Sequence, residues 1–403
     1  MGTHLWGVRV SQDKGITWKA TNKGLEEINH IVEGIGVSRL FNVVFSPNFA
    51  ADQTLFAGTW YRFLKSTDSG QHWQAINPLK GTQDHMGYTI AVSPNYTLDR
   101  TIYLGTRKGH ILQSSNGGKD FAVVSTLDGP ILDIAISPDF SADRTVFVGI
   151  PNQVYRSNNG GVDWKKVSQD IHLVETLNEI HEQVIRLAIS PNYRDDKTAF
   201  VATAEGIFRT RTGGESWRKL LGLPVSDGFV EGLAISPNYT VDATLIVSIK
   251  GEGLFKSING GETFEAIGTD LLSQNYQPAN MYGFDFVAFS PPLQFSPTYA
   301  DDRTIYAFAE TNIFVSENAG ETWEKVNIPM PDYNLMTQAY LSYLRFRFSP
   351  KKVFLLAMVM SLCGYFVLGR LTAIAKNTIL TKSYVRFGGA FAIFISAFLI
   401  LLR

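Results

Sequence analysis

The chain has 403 residues, enough for two or three average domains or for one large domain built from repeats. Its 36 Lys and Arg residues nearly balance 37 Asp and Glu residues, so net charge gives no reason to expect a nucleic-acid partner. The single cysteine, Cys363, excludes a disulfide framework and a zinc site built from paired cysteines, while 35 glycines and 12% aromatic residues favour many short strands joined by tight turns.

An eight-residue pattern, which we name the octet, recurs along the chain. It reads Ser/Thr-x-Asp/Asn-x-Gly-x-x-Trp/Phe, with copies that begin at Ser11, Ser66, Ser114, Ser157, Thr210, Ser257 and Ser316. The third residue is acidic or an amide at Asp13, Asp68, Asn116, Asn159, Asn259 and Asn318, and it is Thr212 in the remaining copy. Such side chains accept backbone hydrogen bonds, and the glycine permits a positive φ. We therefore predict that the octets are structural turns.

A second pattern, the nonapeptide Ser-Pro-x-Phe/Tyr-x-x-Asp-x-Thr, alternates with the octets. Its copies begin at Ser46, Ser93, Ser137, Ser190, Ser236 and Ser296. The residues before each Ser-Pro have the period of two that is typical of a strand, and an apolar run follows each Asp-x-Thr. The nonapeptides are therefore predicted to be loops between two strands, each tied by its aspartate. With one strand before the octet and one after it, each repeat has four strands, as in a β-propeller blade.

These two repeats resemble those of the Asp-box, or BNR-repeat, propellers. That group includes sialidases, xyloglucan-degrading hydrolases, sortilin-type receptors and the photosystem II assembly factor of cyanobacteria and chloroplasts. The resemblance covers residues 1–350 and implies an all-β fold, a seven-bladed β-propeller. The first blade is expected to be incomplete, because no nonapeptide precedes the octet at Ser11. Either the segment Leu344–Pro350 completes this blade, or the missing strand lies upstream of Met1.

The composition changes sharply after Pro350. Residues 353–369 and 387–402 contain no charged side chain. We predict that residues 351–403 form a two-helix transmembrane hairpin with helices at about 353–375 and 386–402, which would make the protein an integral membrane protein. A buried helical pair packed on the propeller is the alternative. Basic residues are nearly balanced between the two ends of the hairpin, so the side of the membrane on which the propeller lies stays open.

The repeats themselves do not specify an activity. The Phe/Tyr-Arg-Ile-Pro segment of sialidases is absent, and most aspartates belong to the nonapeptides. We therefore predict a non-catalytic binding or assembly module that recognises a protein or peptide partner, with lipid contacted by the C-terminal helices. The alternative is a glycan-binding protein or glycoside hydrolase of the Asp-box class. The sequence indicates no cofactor, metal site or nucleotide motif.

Candidate binding residues come from the loops that differ between repeats. In a four-stranded blade, the loops that join the second and third strands lie on the same face as the connections between blades. We name this the variable face, and the opposite face, with both repeated motifs, the octet face. Exposed aromatic and arginine side chains on such loops are typical of binding surfaces. The candidates are Trp60, Tyr61, Arg62, Arg107, His110, Tyr276 and Tyr282, with packing between blades as the alternative role.

Overall fold

The chain divides into two units, Met1–Met330 and Pro331–Arg403. The computed structural model describes residues 2–3, 7–13, 15–21, 23, 40–59, 63–76, 78, 89–151, 153–171, 186–224, 230–249, 252–268, 293–309 and 312–326, all within the first unit. The predicted membrane hairpin and the segment Leu344–Pro350 lie outside the described residues. Within the described ranges, no helix has the length and apolar character needed to cross a membrane.

The described residues form six four-stranded antiparallel sheets and one three-stranded sheet. The three-stranded sheet consists of β1 (Gly2–Thr3), β2 (Gly7–Val10) and β3 (Lys19–Ala20). Blade 1 consists of β4 (Leu40–Phe45), β5 (Leu55–Thr59), β6 (Phe63–Ser66) and β7 (Gln74–Ile76). Blade 2 consists of β8 (Thr89–Val92), β9 (Ile102–Gly105), β10 (His110–Ser114) and β11 (Ala122–Thr126). Blade 3 consists of β12 (Asp133–Ile136), β13 (Val146–Ile150), β14 (Gln153–Ser157) and β15 (Lys165–Lys166).

The remaining three blades repeat this order along the chain. Blade 4 consists of β16 (Arg186–Ile189), β17 (Ala199–Thr203), β18 (Gly206–Thr210) and β19 (Arg218–Lys219). Blade 5 consists of β20 (Val230–Ile235), β21 (Leu245–Ile249), β22 (Gly253–Ser257) and β23 (Glu265–Ile267). Blade 6 consists of β24 (Leu293–Phe295), β25 (Ile305–Ala309), β26 (Asn312–Ser316) and β27 (Glu324–Val326).

The all-β propeller architecture predicted from the repeats is confirmed, but the predicted count of seven blades is wrong. Six blades have four strands, and the N-terminal residues contribute three strands to a separate sheet. This sheet lies between blades 6 and 1. On the side of blade 6, Gly15 lies so close to Val326 that a Cβ added to Gly15 would come within 2.9 Å of Val326 Cγ1. On the side of blade 1, Trp73 Nε1 donates to the carbonyl oxygen of Thr21 at 2.9 Å. The difference arises because no nonapeptide, and hence no strand pair around one, precedes the octet at Ser11.

Apolar side chains between neighbouring blades make up the core. The first strands of consecutive blades contact one another, and β1 contacts β4. Between blades 3 and 4, for example, buried Phe147 meets Tyr193 and Trp217 edge to face, with ring centroids 5.8 and 6.5 Å apart. Since each cluster needs two adjacent sheets, every blade stabilises the next one, as expected of a repeat architecture.

Each nonapeptide contains one helical turn instead of the loop predicted from its sequence. The six helices are α1 (Phe49–Asp52), α2 (Tyr96–Asp99), α3 (Phe140–Asp143), α4 (Tyr193–Asp196), α5 (Tyr239–Asp242) and α6 (Tyr299–Asp302). The aspartate ties the motif together, as predicted. In the first copy, Ser46 Oγ donates to Asp52 Oδ2 at 2.6 Å and the Thr54 amide donates to Oδ1 at 2.9 Å.

The octets are compact turns between the third and fourth strands. In the copy at Ser316, the Gly320 amide donates to Ser316 Oγ at 2.8 Å, and the Thr322 amide donates to Asn318 Oδ1 at 2.9 Å. The third residues of the other copies, Asp13, Asp68, Asn116, Asn159 and Asn259, accept equivalent hydrogen bonds from the seventh residue of their octets. Most fourth and fifth residues have positive φ, which explains the recurring Gly-Gly pairs.

A set of hydrogen bonds, which we name the cross-blade donors, links the octets around the ring. At five of the seven octets, the residue before the octet donates to the carbonyl oxygen of the fourth octet residue in the next blade. The contacts are Lys65 to Gly117 (2.7 Å), Gln113 to Gly160 (3.5 Å, beside Tyr103 at 2.7 Å), Arg156 to Gly213, Arg209 to Gly260 (2.6 Å) and Lys256 to Ala319 (2.8 Å). The residues before the other two octets are Val10 and Val315, whose side chains cannot donate.

Candidate functional site

The turn between β9 and β10 lies on the variable face. Buried Thr106 anchors this turn, because its hydroxyl accepts the His110 amide at 3.1 Å and its carbonyl oxygen accepts the Gly109 amide at 3.2 Å. Gly109 has φ +83°, and an added Cβ would lie 2.1 Å from the carbonyl oxygen of Leu127. The turn is therefore fixed, and it presents Arg107 and Lys108 to solvent.

The two described members of the predicted binding set have different environments. Arg107 is exposed at the tip of this turn, whereas His110 is partly buried and its Nδ1 lies 2.9 Å from Thr126 Oγ1 on the neighbouring strand. Arg107 is therefore available for a partner, and His110 contributes to the internal structure of the blade. Trp60, Tyr61, Arg62, Tyr276 and Tyr282 lie outside the described residues.

The connection from blade 2 to blade 3 extends the same surface. The Leu127 amide donates to the carbonyl oxygen of Gly109 at 2.9 Å, and the Ile131 amide donates to that of Thr106 at 3.0 Å. Turn and connection thus form one hydrogen-bonded unit, anchored by fully buried Ile131. The exposed side chain of Asp128 lies in the connection and gives this surface mixed charge.

Two charged side chains at the first strands were not anticipated from the sequence. Asp133 and Arg186 begin β12 and β16, each four residues before its Ser-Pro, where blades 1, 2 and 5 have Asn42, Thr89 and Gly232. Because the first strands of neighbouring blades contact each other and run from the variable face to the octet face, both residues lie at the variable-face end of the inner strands. An alignment of the repeats on the Ser-Pro position would have revealed them.

The carboxylate of Asp133 connects two blades. Its Oδ1 accepts the Ile134 amide and its Oδ2 accepts the Leu187 amide of blade 4, both at 2.9 Å. Burial raises the pKa of Asp133, and the opposing effects of Arg186 and of these amides do not cancel that rise. The geometry is therefore that of an inter-strand tie whose carboxyl group accepts a proton more readily than an ordinary aspartate.

The carboxylates of the repeats have structural partners on the octet face. Each nonapeptide aspartate accepts a serine hydroxyl and a threonine amide, at Asp52, Asp99, Asp143, Asp196, Asp242 and Asp302. No cluster of three metal-ligating side chains occurs in the described ranges. Among the described carboxyl groups at the inner strands, that of Asp133 has a raised pKa.

Comparison with known proteins supports the fold. No protein-family model and no curated protein sequence matches the chain. Among solved structures, the chain is similar to the GH74 xyloglucanase from Xanthomonas campestris (TM-score 0.58, 16% identity, 79% of this chain and 50% of that one). It is also similar to the GH74 enzyme of Niastella koreensis (0.56, 19%, 80% and 51%) and to YCF48 bound to D1 peptide (0.53, 17%, 78% and 87%).

The similar structures differ in how much of their own length the chain matches. The chain spans about half the length of the GH74 enzymes and most of the length of YCF48. At identities below 20%, the likeness establishes a shared β-propeller fold and no shared function.

Proposed function

We propose that this protein is a non-catalytic recognition module that binds a protein or peptide partner through its variable face. The observation that carries the proposal is the distribution of polar groups. On the octet face the aspartates of the nonapeptides are hydrogen-bonded within the fold, whereas the β9–β10 turn holds Arg107 and Lys108 exposed on a rigid support. Rigid scaffolds with exposed, variable loops are the usual arrangement for binding.

The similar propeller bound to a peptide supports the choice of partner class. YCF48, which has a similar fold, binds D1 peptide. For the present protein we include Trp60, Tyr61, Arg62, Tyr276 and Tyr282 in the proposed surface together with Arg107. Aromatic and arginine side chains contribute most to the energy of such interfaces.

We propose further that the octets are Asp-boxes. The support is their hydrogen bonding, in which the first residue's hydroxyl accepts the amide of the fifth residue, and the third residue's side chain accepts the amide of the seventh. In this assignment the Asp or Asn side chain shapes the turn and has no part in binding.

Site-specific photo-crosslinking in the native cells tests the proposed surface. A photoreactive residue in place of Lys108, on the variable face, should give a discrete crosslinked polypeptide. The matched control is Lys119, an exposed lysine in the octet of the same blade on the opposite face. Trp60→Ala with Arg62→Ala should remove the Lys108 product because both lie in the proposed surface. Equal products from both positions would contradict the assignment of the variable face.

A glycoside hydrolase is the second candidate, favoured by one observation. Asp133 is a partly buried carboxyl with a raised pKa at the inner strands, which is the property that a general acid requires. Release of reducing sugar from a panel of polysaccharides, abolished by Asp133→Asn, would support this candidate. The absence of release from all of them supports the recognition module.

We also propose that residues 351–403 attach the protein to a membrane. The support is the absence of charge from two segments, residues 353–369 and 387–402. Both are a little short of the ~20 residues that cross a hydrocarbon core, but the basic residues at their ends can extend to the headgroups. The full chain should stay with membranes during alkaline carbonate extraction, and a variant ending at residue 350 should be released. Release of both forms would contradict membrane insertion.

A further inference from the structure

A cleft of about 420 Å³ lies on the octet face between blades 4 and 5. Its walls come from the octet of blade 4, which begins at Thr210, and from Glu262 in the octet of blade 5. Its size falls within the range of about 300–1,000 Å³ that is common for small-molecule sites. The lining is strongly polar, with three arginines and two hydroxyl groups, so a charged ligand is the class to consider.

Two of the arginines are held in place by one carboxylate. Buried Arg209 donates from Nη1 to the carbonyl oxygen of Gly260 at 2.6 Å and from Nη2 to Glu262 Oε1 at 2.7 Å. Arg218 Nη2 donates to both oxygens of Glu262, at 2.6 and 2.8 Å. The hydrogen bonds from Arg218 and Arg209 lower the pKa of Glu262 to about 2, so Glu262 is ionised near neutral pH. One carboxylate thus orients two guanidinium groups beside the cleft.

The third arginine, Arg211, gives the lining of the cleft more positive than negative charge. Its side chain is exposed, lines the cleft and, in the part of the chain that the structure describes, forms no hydrogen bond or ion pair. The next residue, Thr212, stands where the other six octets have Asp or Asn. Thr212 Oγ1 accepts the Ser216 amide at 2.9 Å and lies 3.1 Å from the Ser216 hydroxyl. The octet therefore supplies hydroxyl groups and a cation, but no carboxylate at these positions.

The junction between blades 3 and 4 provides an internal comparison. There Arg156 donates to Gly213 and Glu215, and Lys165 donates to Glu215 at 2.7 Å, as Arg209 and Arg218 do with Glu262. In the octet of blade 3, however, Asn158, Asn159 and Asp163 occupy the places of Arg211, Thr212 and Ser216. At the positions equivalent to those that line the cleft, two cations meet two carboxylates at that junction, whereas three cations meet one carboxylate here. The preceding junction therefore lacks this excess of positive charge at the equivalent positions, so the repeat does not require it.

We infer that this cleft binds the phosphate or sulfate group of a small ligand. Guanidinium groups bind such oxyanions through paired, charge-assisted hydrogen bonds. Arg211 is free to pair with the anion, Arg218 presents a half-exposed guanidinium beside it, and the hydroxyl groups of Thr212 and Ser216 can donate to its remaining oxygens. The site lies on the face opposite the proposed partner surface, so the two can be occupied independently.

Calorimetric titration of the full-length protein, purified in a mild detergent, tests the inference with inorganic phosphate, sulfate and acetate as probes. We expect saturable binding of phosphate or sulfate, weaker binding of acetate, and loss of affinity as ionic strength rises. Binding of phosphate alone would indicate a phosphate ester as the natural group, and binding of sulfate alone a sulfate ester. Acetate binding as tight as that of both oxyanions would overturn the class of ligand, and no saturable binding would overturn the site.

Variants identify the residues. Arg211→Gln should weaken binding about tenfold or more, the effect of losing a charge-assisted hydrogen bond. Lys219→Gln is the matched control, because Lys219 is an exposed neighbour of Arg218 that does not line the cleft. Replacing Arg211, Thr212 and Ser216 with Asn, Asn and Asp, as in blade 3, should abolish binding while the thermal midpoint confirms folding. Equal losses for Arg211→Gln and Lys219→Gln would overturn the assignment.

Discussion

The residue after each one-turn helix has a left-handed backbone conformation that is costly for a residue other than glycine. The six residues, with φ between 46° and 54°, are Gln53, Arg100, Arg144, Lys197, Ala243 and Arg303. In three copies this residue is cationic, and its side chain lies over the aromatic ring of the first helix residue. The distances to the ring centroids are 5.4, 4.9 and 5.5 Å for Arg100, Arg144 and Lys197. Such contacts contribute about 0.5–1 kcal/mol each at exposed sites and offset part of the cost. The Ala243 side chain cannot make one.

Ala243→Gly should therefore stabilise the protein. Removing the Cβ relieves about 1–2 kcal/mol of left-handed strain, and the greater freedom of glycine in the unfolded chain leaves a net gain of about 0.5–1 kcal/mol. The thermal midpoint should rise. Arg144→Gly should gain less, since it also loses the contact with Phe140. The control Ala142→Gly, inside α3, should lower the midpoint, because glycine is unfavourable by about 1 kcal/mol in a helix. A lower midpoint for Ala243→Gly would contradict this account of the backbone.

At the scale of elements, the two repeated motifs were sufficient to predict strands, turns and a propeller. Period-two patterns and turn residues are local properties that recur with the two motifs, and the one departure at the third octet position is Thr212. The helical turn inside the nonapeptide was missed because four residues are too few to show a helical period. The tie formed by its aspartate was predicted, since a carboxylate two residues before the threonine that precedes a strand has few other partners within reach.

The contacts between blades could not be predicted in the same way. Lys65, Arg156 and Lys256 look like ordinary exposed strand residues until the next blade places a carbonyl oxygen in front of them. Burial lowers the pKa of Lys65 and Lys256, and both side chains donate to the carbonyl oxygen of the next octet. Likewise, Arg209 and Glu262 are 53 residues apart and meet only because their blades are neighbours. Of the predicted binding residues, Arg107 is exposed as a binding role requires, and His110 is partly buried against β11.

At the scale of the whole molecule, the cross-blade donors stabilise some junctions between neighbouring sheets more than others. Five junctions between consecutive blades have a side chain that reaches the next octet. At the two junctions of the three-stranded sheet, the equivalent residues are Val10 in that sheet and Val315 in blade 6, whose side chains provide no such bond. A hydrogen bond from a charged donor contributes about 1.5–3 kcal/mol, so these two junctions depend more heavily on apolar packing and on the bond from Trp73 to Thr21.

Hydrogen exchange should reveal this difference. Amides of β2 are expected to exchange faster than those of β10 and β14, which occupy the equivalent place in blades 2 and 3. Lys256→Met removes the donor between blades 5 and 6 and should accelerate exchange at Ala319 and its neighbours, while Lys219→Met, which removes no such bond, should leave it unchanged. Uniform protection across all sheets would show that the cross-blade donors contribute nothing to local stability.

The two valines also bear on the order in which the ring is assembled during synthesis. Each blade from 1 to 5 can donate its cross-blade hydrogen bond to the octet of the next blade as soon as that octet leaves the ribosome. The three-stranded sheet is translated before blade 1, yet its contact with blade 6 must wait until Val326 has emerged. The contact between the three-stranded sheet and blade 6 is therefore formed late, and it is made by the apolar side chain of Val326 against Gly15. This contact forms without a buried charged side chain that must find its partner. The N-terminal segment, although translated first, can therefore dock late without being held in a wrong position by a mispaired cation.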